Sequence, residues 1–430
     1  MVDLILTILA EHGFSVFLIN ERTETSEELF FIRRNLDMKR AKDITKYTVT
    51  LYRDFPAQEN GGSLLRGFAS CTIQKSMNRQ EIEAILCSTH ESAAYAQNPY
   101  FPLPEPESVL PGPVAGTSRP KKQIMMKQLV QALYSSDTDD TTYINSAELF
   151  ITTTDHRIIN SSGIDVSYSE TIYSGEFIVQ SKQKEDVEIY QDFHFSDSDA
   201  SGAETDIPYR LAQLAFSALQ TAKDRSVAIP YPDTAAPSAI ILEGYCVAEL
   251  FRFFLNRCDA SMIYPNYSDY TVGTVLPLKS DTLNITLKSS IPYTPEGIQL
   301  RDTALIQNNR ITAITGDSRF SYYLGIQPLG TFKDFSIACG PRPAEEFQRR
   351  SCLRIVNFSD FQMDSLSGQF GGEFRLAYYS DSQQQNTPVT GGSVSGNILD
   401  ILDTLKLSKE ELNLNGYRGP KSICYSAEKN

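Results

Sequence analysis

The chain has no tryptophan, only four histidines, and no two of its seven cysteines in a CxxC pair. Each shortage excludes something. Positions 12, 90, 156 and 194 never place two histidines four or five residues apart, so neither HExxH nor HExxxH, the helical zinc motifs, is present. His90-Glu91 opens such a motif, but Ala94 and Tyr95 stand where the second histidine belongs, and the pair reads as a helix surface. Cysteines 71, 87, 246, 258, 339, 352 and 424 are odd in number and scattered. They support neither a disulfide framework nor a zinc knuckle, fit strand and helix patterns as small apolar residues, and agree best with a reducing cytoplasm. Basic residues are also short, 39 against 53 acids for a net charge of −14. Nucleic-acid binding needs a basic face to neutralise phosphates, so direct binding is not expected. No run approaches the ~18–20 apolar residues of a membrane span. The apolar stretch Leu4–Ala10 follows Asp3 and runs into Glu11-His12-Gly13, so a signal peptide is not expected.

Several chemical frames are missing too. Gly371-Gly372 and Gly391-Gly392 lack the spacing of a phosphate-binding loop and read as turn glycines, and Gly392-Ser393-Val394-Ser395-Gly396 is misspaced for a nucleophile elbow. Asp197-Ser198-Asp199-Ala200-Ser201-Gly202 opens like a calcium loop, but its twelfth position is Pro208 instead of a bidentate glutamate, so it reads as an acidic, solvated loop.

What is present is a globular composition, 41% hydrophobic and 21% charged, over 430 residues, enough for more than one domain. Residues 1–98 read as helix, strands, helix. Leu4, Ile5, Ile8 and Leu9 have helical spacing and Gly13 ends the run. Strand-like runs follow at Phe14–Ile19, Leu29–Arg33 and Tyr47–Tyr52. Asn78 with Glu81 predicts a capping box for a second helix, with Ile82, Ile85, Leu86 and Ala93 as its buried stripe. Residues 99–120, with seven prolines, read as an extended connector. Residues 121–230 repeat the order of elements. A helix around Ile124–Leu133 precedes strands at Glu148–Thr153, Thr171–Ser181 and Val187–Phe195, and a long helix follows Asp206.

Residues 231–430 read as mostly β: a strand at Ile240–Leu242, a helix over Gly244–Arg257, and a hairpin turning on Gln307-Asn308-Asn309-Arg310. Further strands are expected at Leu353–Phe358 and Phe374–Tyr379, and a helix at Ile398–Leu405. The fold class is α+β: an N-terminal half of two helix–strands–helix units, packed together, and a C-terminal half that is mostly antiparallel β with a few helices.

Several blocks, in order along almost the whole chain, resemble the TldD/PmbA family, described as modulators of DNA gyrase and as metallopeptidases. Ser367-Gly368-Gln369-Phe370-Gly371-Gly372-Glu373-Phe374 is similar to its C-terminal glycine-rich block, followed by Thr387-Pro388-Val389-Thr390 and by Val394–Leu399. Gly297–Gly325, containing Arg301–Ile306, resembles its Asp-then-Leu-Ile-x-Asn-Gly hairpin, Asn98-Pro99-Tyr100 with Leu103-Pro104 its Pro-Tyr-x-x-Leu-Pro segment, and Asn160–Ile164 its Asn-Ser-x-Gly turn. In the TldD branch an HExxxH helix supplies two zinc-binding histidines and a glutamate base. The matching helix here is Val247–Phe254, where Ala248 and Phe253 replace the histidines and Glu249 alone remains. The family's cysteine ligand falls at Asn415-Gly416-Tyr417-Arg418-Gly419, which has no cysteine. Glu249 is read as a helix-face carboxylate paired with Arg252.

The resemblance therefore implies the PmbA/TldE-like branch: a non-catalytic, metal-less subunit with no cofactor, dimerising with itself or with a TldD-like zinc-bearing chain. Such an assembly acts in proteolysis and peptide maturation on peptides or unfolded polypeptides in the cytoplasm. Catalytic and metal residues are expected to be absent, and Ser367, Gly368, Gly371 and Gly372 are the candidates for substrate contact. Two alternatives stay open, an autonomous metallopeptidase with an unrecognised site, and an interaction protein modulating gyrase or a toxin–antitoxin system.

Overall fold

The computed structural model describes residues 1–56, 64–106, 122–196, 206–232, 235–381 and 386–427. The acidic loop 197–202 and residues 107–120 of the proline-rich connector lie outside the described residues.

The first helix, α1 (Val2–Glu11), stops as expected at Gly13, whose φ of 67° is costly for any residue with a Cβ. The N–H groups of Gly13 and Phe14 return to the carbonyls of Ala10 and Leu9, closing a Schellman motif. Three strands follow, β1 (Phe17–Ile32), β2 (Asn35–Phe55) and β3 (Leu65–Gln74). The two runs expected at 14–19 and 29–33 are the two ends of the single strand β1. The second helix, α2 (Arg79–Ser92), has the predicted capping box: Glu81 N–H donates to Asn78 Oδ1 at 3.1 Å, and Asn78 N–H donates to Glu81 Oε2 at 2.8 Å. A short β4 (Gln97–Pro99) leads to Pro99–Pro106, which runs extended with Phe101 and Leu103 buried.

The order then recurs as α3 (Lys122–Leu133), β5 (Thr142–Asn160), β6 (Asp165–Ser181), β7 (Val187–Ser196) and α4 (Ile207–Val227). All seven strands join one antiparallel sheet in the order β4-β3-β2-β1-β5-β6-β7. Ile19 packs with α1 and α2, and Phe31 packs with α3 and α4. Both occupy odd positions of β1, so all four helices cover the same face. The even positions face the other way, and there Leu18, Tyr52 and Ile158 pack with Phe101, Leu103 and Tyr293 of the C-terminal half.

After Ile229–Pro230 the chain builds two mixed sheets of short, mainly antiparallel strands. One is six-stranded and centres on Ile285–Lys288 and Asp334–Ile337; the other is eight-stranded and centres on Ala239–Glu243, Cys352–Met363 and Gln369–Ser380. The helix α5 (Tyr245–Arg257) shares one apolar core with both. The Asn308-Asn309 hairpin forms as read, both residues at positive φ (52° and 63°), the signature of a type I′ turn. Two local readings change. The helix expected at 398–405 ends at Ile401, because its apolar spacing is met by burial of Leu402 in a turn and of Leu405 just beyond it. Gly371-Gly372 lies inside a strand, not a turn, paired in register with Gln362 and Phe361.

Candidate functional site

Gly244, at a φ of 95°, turns the chain from the Ala239–Glu243 strand into α5. The helix then divides sharply. Val247, Ala248, Leu250, Phe251, Phe253 and Phe254 are buried in the C-terminal core, while Tyr245, Glu249 and Arg252 stand at its rim at i, i+4 and i+7. Arg252 organises that rim. Its Nε donates to Glu249 Oε1 at 3.2 Å, Nη2 to the Tyr245 hydroxyl at 3.0 Å and Nη1 to the Lys333 carbonyl at 3.2 Å. Its guanidinium lies 5.4 Å from the Phe335 ring centroid. Burial pushes the Tyr245 hydroxyl above the usual phenol range, so it stays a neutral donor and reaches the Asn415 carbonyl at 3.5 Å. Burial alone disfavours the Arg252 charge, but Tyr245 and Glu249 more than offset this and keep the guanidinium protonated.

The expected Glu249–Arg252 pair is therefore present, and it belongs to a larger network that sequence reading missed. Asn415 begins an Asn-Gly turn, with Asn415 and Gly416 at φ values of 52° and 77°. Its Oδ1 accepts from the His194 N–H at 2.7 Å, and its Nδ2 donates to Asp192 Oδ2 at 3.0 Å, tying the turn to β7. Tyr245 and Asn415 lie 170 residues apart and carry no shared motif, so nothing in the sequence signals their meeting.

The positions that the resemblance equates with zinc ligands hold a methyl group at Ala248, a phenyl ring at Phe253 and an engaged amide at Asn415. Phe253 packs edge-on against Phe254 and Tyr270, with ring centroids 5.3 and 6.4 Å away. Neither Ala248 nor Phe253 has a lone pair to give. Among the described residues no group of three or more His, Cys, Asp and Glu has a metal-holding arrangement. The donor set does not fit zinc.

Ser367 and Gly368 form the turn between the Cys352–Met363 and Gln369–Ser380 strands, near the C-terminal end of α5. Asn256 Nδ2 donates there to Ser365 Oγ at 2.7 Å. The Asp364 carboxylate accepts from the Leu366 N–H and the Ser367 hydroxyl, and Asn397 Nδ2 donates to the Ser367 carbonyl at 2.8 Å. Gly372 sits where a Cβ would come within 2.0 Å of the Asp360 carbonyl, so the close approach of the two strands requires glycine. Gly371 lies beside it, against Val394 and Ser395. All four candidates thus sit on one hairpin, at the end of α5 away from Tyr245.

A cleft of about 290 Å³ between the two halves lies where two other resembling segments meet. Pro104, Pro106, Ile164 and Tyr293 line it, and Asn160 Nδ2 bridges the segments by donating to the Pro104 carbonyl at 2.8 Å.

Residues 237–426 match the family model of the PmbA/TldA metallopeptidase C-terminal domain. No curated protein sequence matches the chain. Among solved structures it is similar to TldE from Thermococcus kodakarensis, with a TM-score of 0.75 at 14% identity, covering 99% of this chain and 98% of that one. It is also similar to proteins named as candidate modulators of DNA gyrase. For the one from Thermotoga maritima the TM-score is 0.73 at 14% identity, with 98% and 97% covered. For the one from Bacteroides thetaiotaomicron it is 0.73 at 14% identity, with 99% and 97% covered. At such identity these likenesses establish a common α+β fold over the full length. Residues 237–426 are accordingly similar to a PmbA/TldA-type C-terminal domain, and the whole chain shares the fold of these TldE and gyrase-modulator structures.

Proposed function

We propose that this chain is the metal-less, TldE/PmbA-like subunit of a TldD/TldE-type metalloprotease assembly that trims peptides or degrades unfolded polypeptide. The observation that carries the reading is the state of α5. A methyl and a phenyl group replace the two histidine ligands, and the glutamate that would serve as base is held by Arg252 at 3.2 Å. Without a metal to lower the pKa of a bound water, a carboxylate tied to arginine has nothing to activate. The chain's role is then structural: to pair with a zinc-bearing TldD-type chain and complete the enclosure around its substrate, with the Ser367–Gly372 hairpin lining that enclosure. Residues 1–98, 121–230 and 231–430 are taken as its building units.

Elemental mass spectrometry of untagged protein is the first test, with zinc near zero per chain expected and near-stoichiometric zinc sinking the reading. A cleavage assay on an unstructured polypeptide follows, in which activity is expected only when a TldD-type chain is supplied. Cleavage by this chain alone would instead mark an autonomous peptidase. The names of two similar structures favour a second reading, modulation of DNA gyrase, which a direct binding measurement with purified gyrase and no peptidase subunit decides.

A further inference from the structure

Away from α5, the junction of α1 and α2 brings together a thiol, an imidazole and a carboxylate. His12 is the C-cap of α1, and Glu83 and Cys87 lie four residues apart on α2, hence on one helix face. Glu83 Oε1 is 2.8 Å from His12 Nε2, and Cys87 Sγ is 3.7 Å from His12 Nδ1. A carboxylate facing Nε2 makes that nitrogen the N–H donor and leaves the Nδ1 lone pair directed at sulfur. The ring is held in place: His12 stacks on Phe14 at 5.4 Å and Phe14 on His90 at 4.2 Å, while the Arg79–Glu11 ion pair joins the two helices beside it.

We propose that Cys87 is a thiol–disulfide exchange site in which His12 is the proton acceptor and Glu83 positions it, with small disulfides of the glutathione class as co-reactant. The Cys87 sulfur attacks one sulfur of the disulfide, and its proton passes to His12 Nδ1. The S–S bond breaks, and the departing thiolate takes that proton. The products are a mixed disulfide on Cys87 and one free thiol. Burial, with Glu83 and Glu91, pushes the Cys87 thiol up, so the proton must be removed as sulfur attacks, which is the task of a neighbouring base. The other charged groups facing the pair are the Glu11–Arg79 pair, Glu91 and His90 on α2, and Arg53 on β2.

The remaining cysteines supply the contrast. Cys246, Cys258, Cys352 and Cys424 are buried, Cys71 and Cys339 are half-buried as Cys87 is, and none of the six has an imidazole partner among the described residues. The site is independent of the proposed function, because it lies on neither α5 nor the Ser367–Gly372 hairpin.

The experiment exposes the full-length protein to glutathione disulfide and follows the mixed disulfide at each cysteine by peptide mass spectrometry across pH. Cys87 is expected to react about ten-fold faster than Cys339. The His12→Gln variant is expected to slow Cys87 about ten-fold, to a rate near that of Cys339. Glu83→Gln, which loses the charge but keeps a hydrogen-bonding side chain, is expected to slow it less. Protection of Cys71 on β3 monitors folding of each variant. Equal rates at Cys87 and Cys339 in the unmodified protein overturn the proposal. So does an unchanged Cys87 rate in His12→Gln with Cys71 still protected.

Discussion

The two halves of the N-terminal sheet share an order of elements and differ in what they are fastened to. In the first, α1 and α2 close on β1–β3 with a core drawn from the N-terminal half itself, around Ile5, Ile8, Ile73, Ile82 and Leu86. In the second, the core beneath α3 and α4 admits Leu414 of the C-terminal half, with Leu412 and Tyr245 packed against it. Arg210 of α4, stacked 4.1 Å from the Phe195 ring, donates Nη2 to the Asn413 carbonyl at 3.0 Å and to its Oδ1 at 2.8 Å. The first half reaches the C-terminal half from the opposite face, where the Tyr323 hydroxyl donates to the Pro99 carbonyl at 2.6 Å. One local pattern thus yields one local fold twice, while the two halves differ in their long-range partners.

Substitutions can break that comparison. The largest effect is expected from Phe193→Ala in β7, which empties a fully packed site and costs about 3–5 kcal/mol. Hydrogen exchange in Glu411–Pro420 should accelerate with it, since that hairpin borders the same core. Leu86→Ala in α2 is expected to cost about 2–5 kcal/mol while leaving exchange in that hairpin unchanged. Acceleration there in Leu86→Ala would erase the distinction between the halves. Asn78→Ala removes the capping box, and about 1 kcal/mol is expected, read as a lower denaturation midpoint with an unchanged slope.

A pH measurement sharpens the picture on the C-terminal side. Burial pushes the Glu243 carboxyl up, but Lys421 and Arg354 outweigh burial, and the group sits below its ordinary value of 4.5. A carboxyl lowered in the folded state stabilises in full above that value, and its contribution is lost as pH falls through the folded-state pKa. Stability is therefore expected to fall on acidification below about 4.5, with a shallower decline in Glu243→Gln, followed by denaturant midpoints across pH.

What could be read in advance was local. The Asn78–Glu81 cap, the Gly13 stop, the Asn308-Asn309 turn and the Glu249–Arg252 pair each span a few residues, and their geometry follows from those residues alone. The length of β1 was illegible for the opposite reason. Asn20–Glu28 contains no apolar residue, so hydrophobic alternation is silent there. Pairing on both sides extends the strand, and cross-strand charges stabilise it: Glu28 is buried between Arg40 and Lys42 of β2 and accepts from Ser26. At the site, sequence identified α5 and the loss of donors at Ala248 and Phe253. It was blind to Tyr245, Lys333 and Asn415, whose meeting depends on how both halves pack.

The hold of Asn415 on β7 has a consequence for solubility. β7 is an outer strand of the long sheet, and an unpaired outer strand is a template on which another chain can polymerise. The Asn415 side chain takes the outward N–H of His194 and the Asp192 carboxylate, blocking the template near one end. The exposed acidic side chain of Glu188 adds a charge near the other end. The strand that ends the long sheet is thereby made a poorer template for edge-to-edge pairing with other chains.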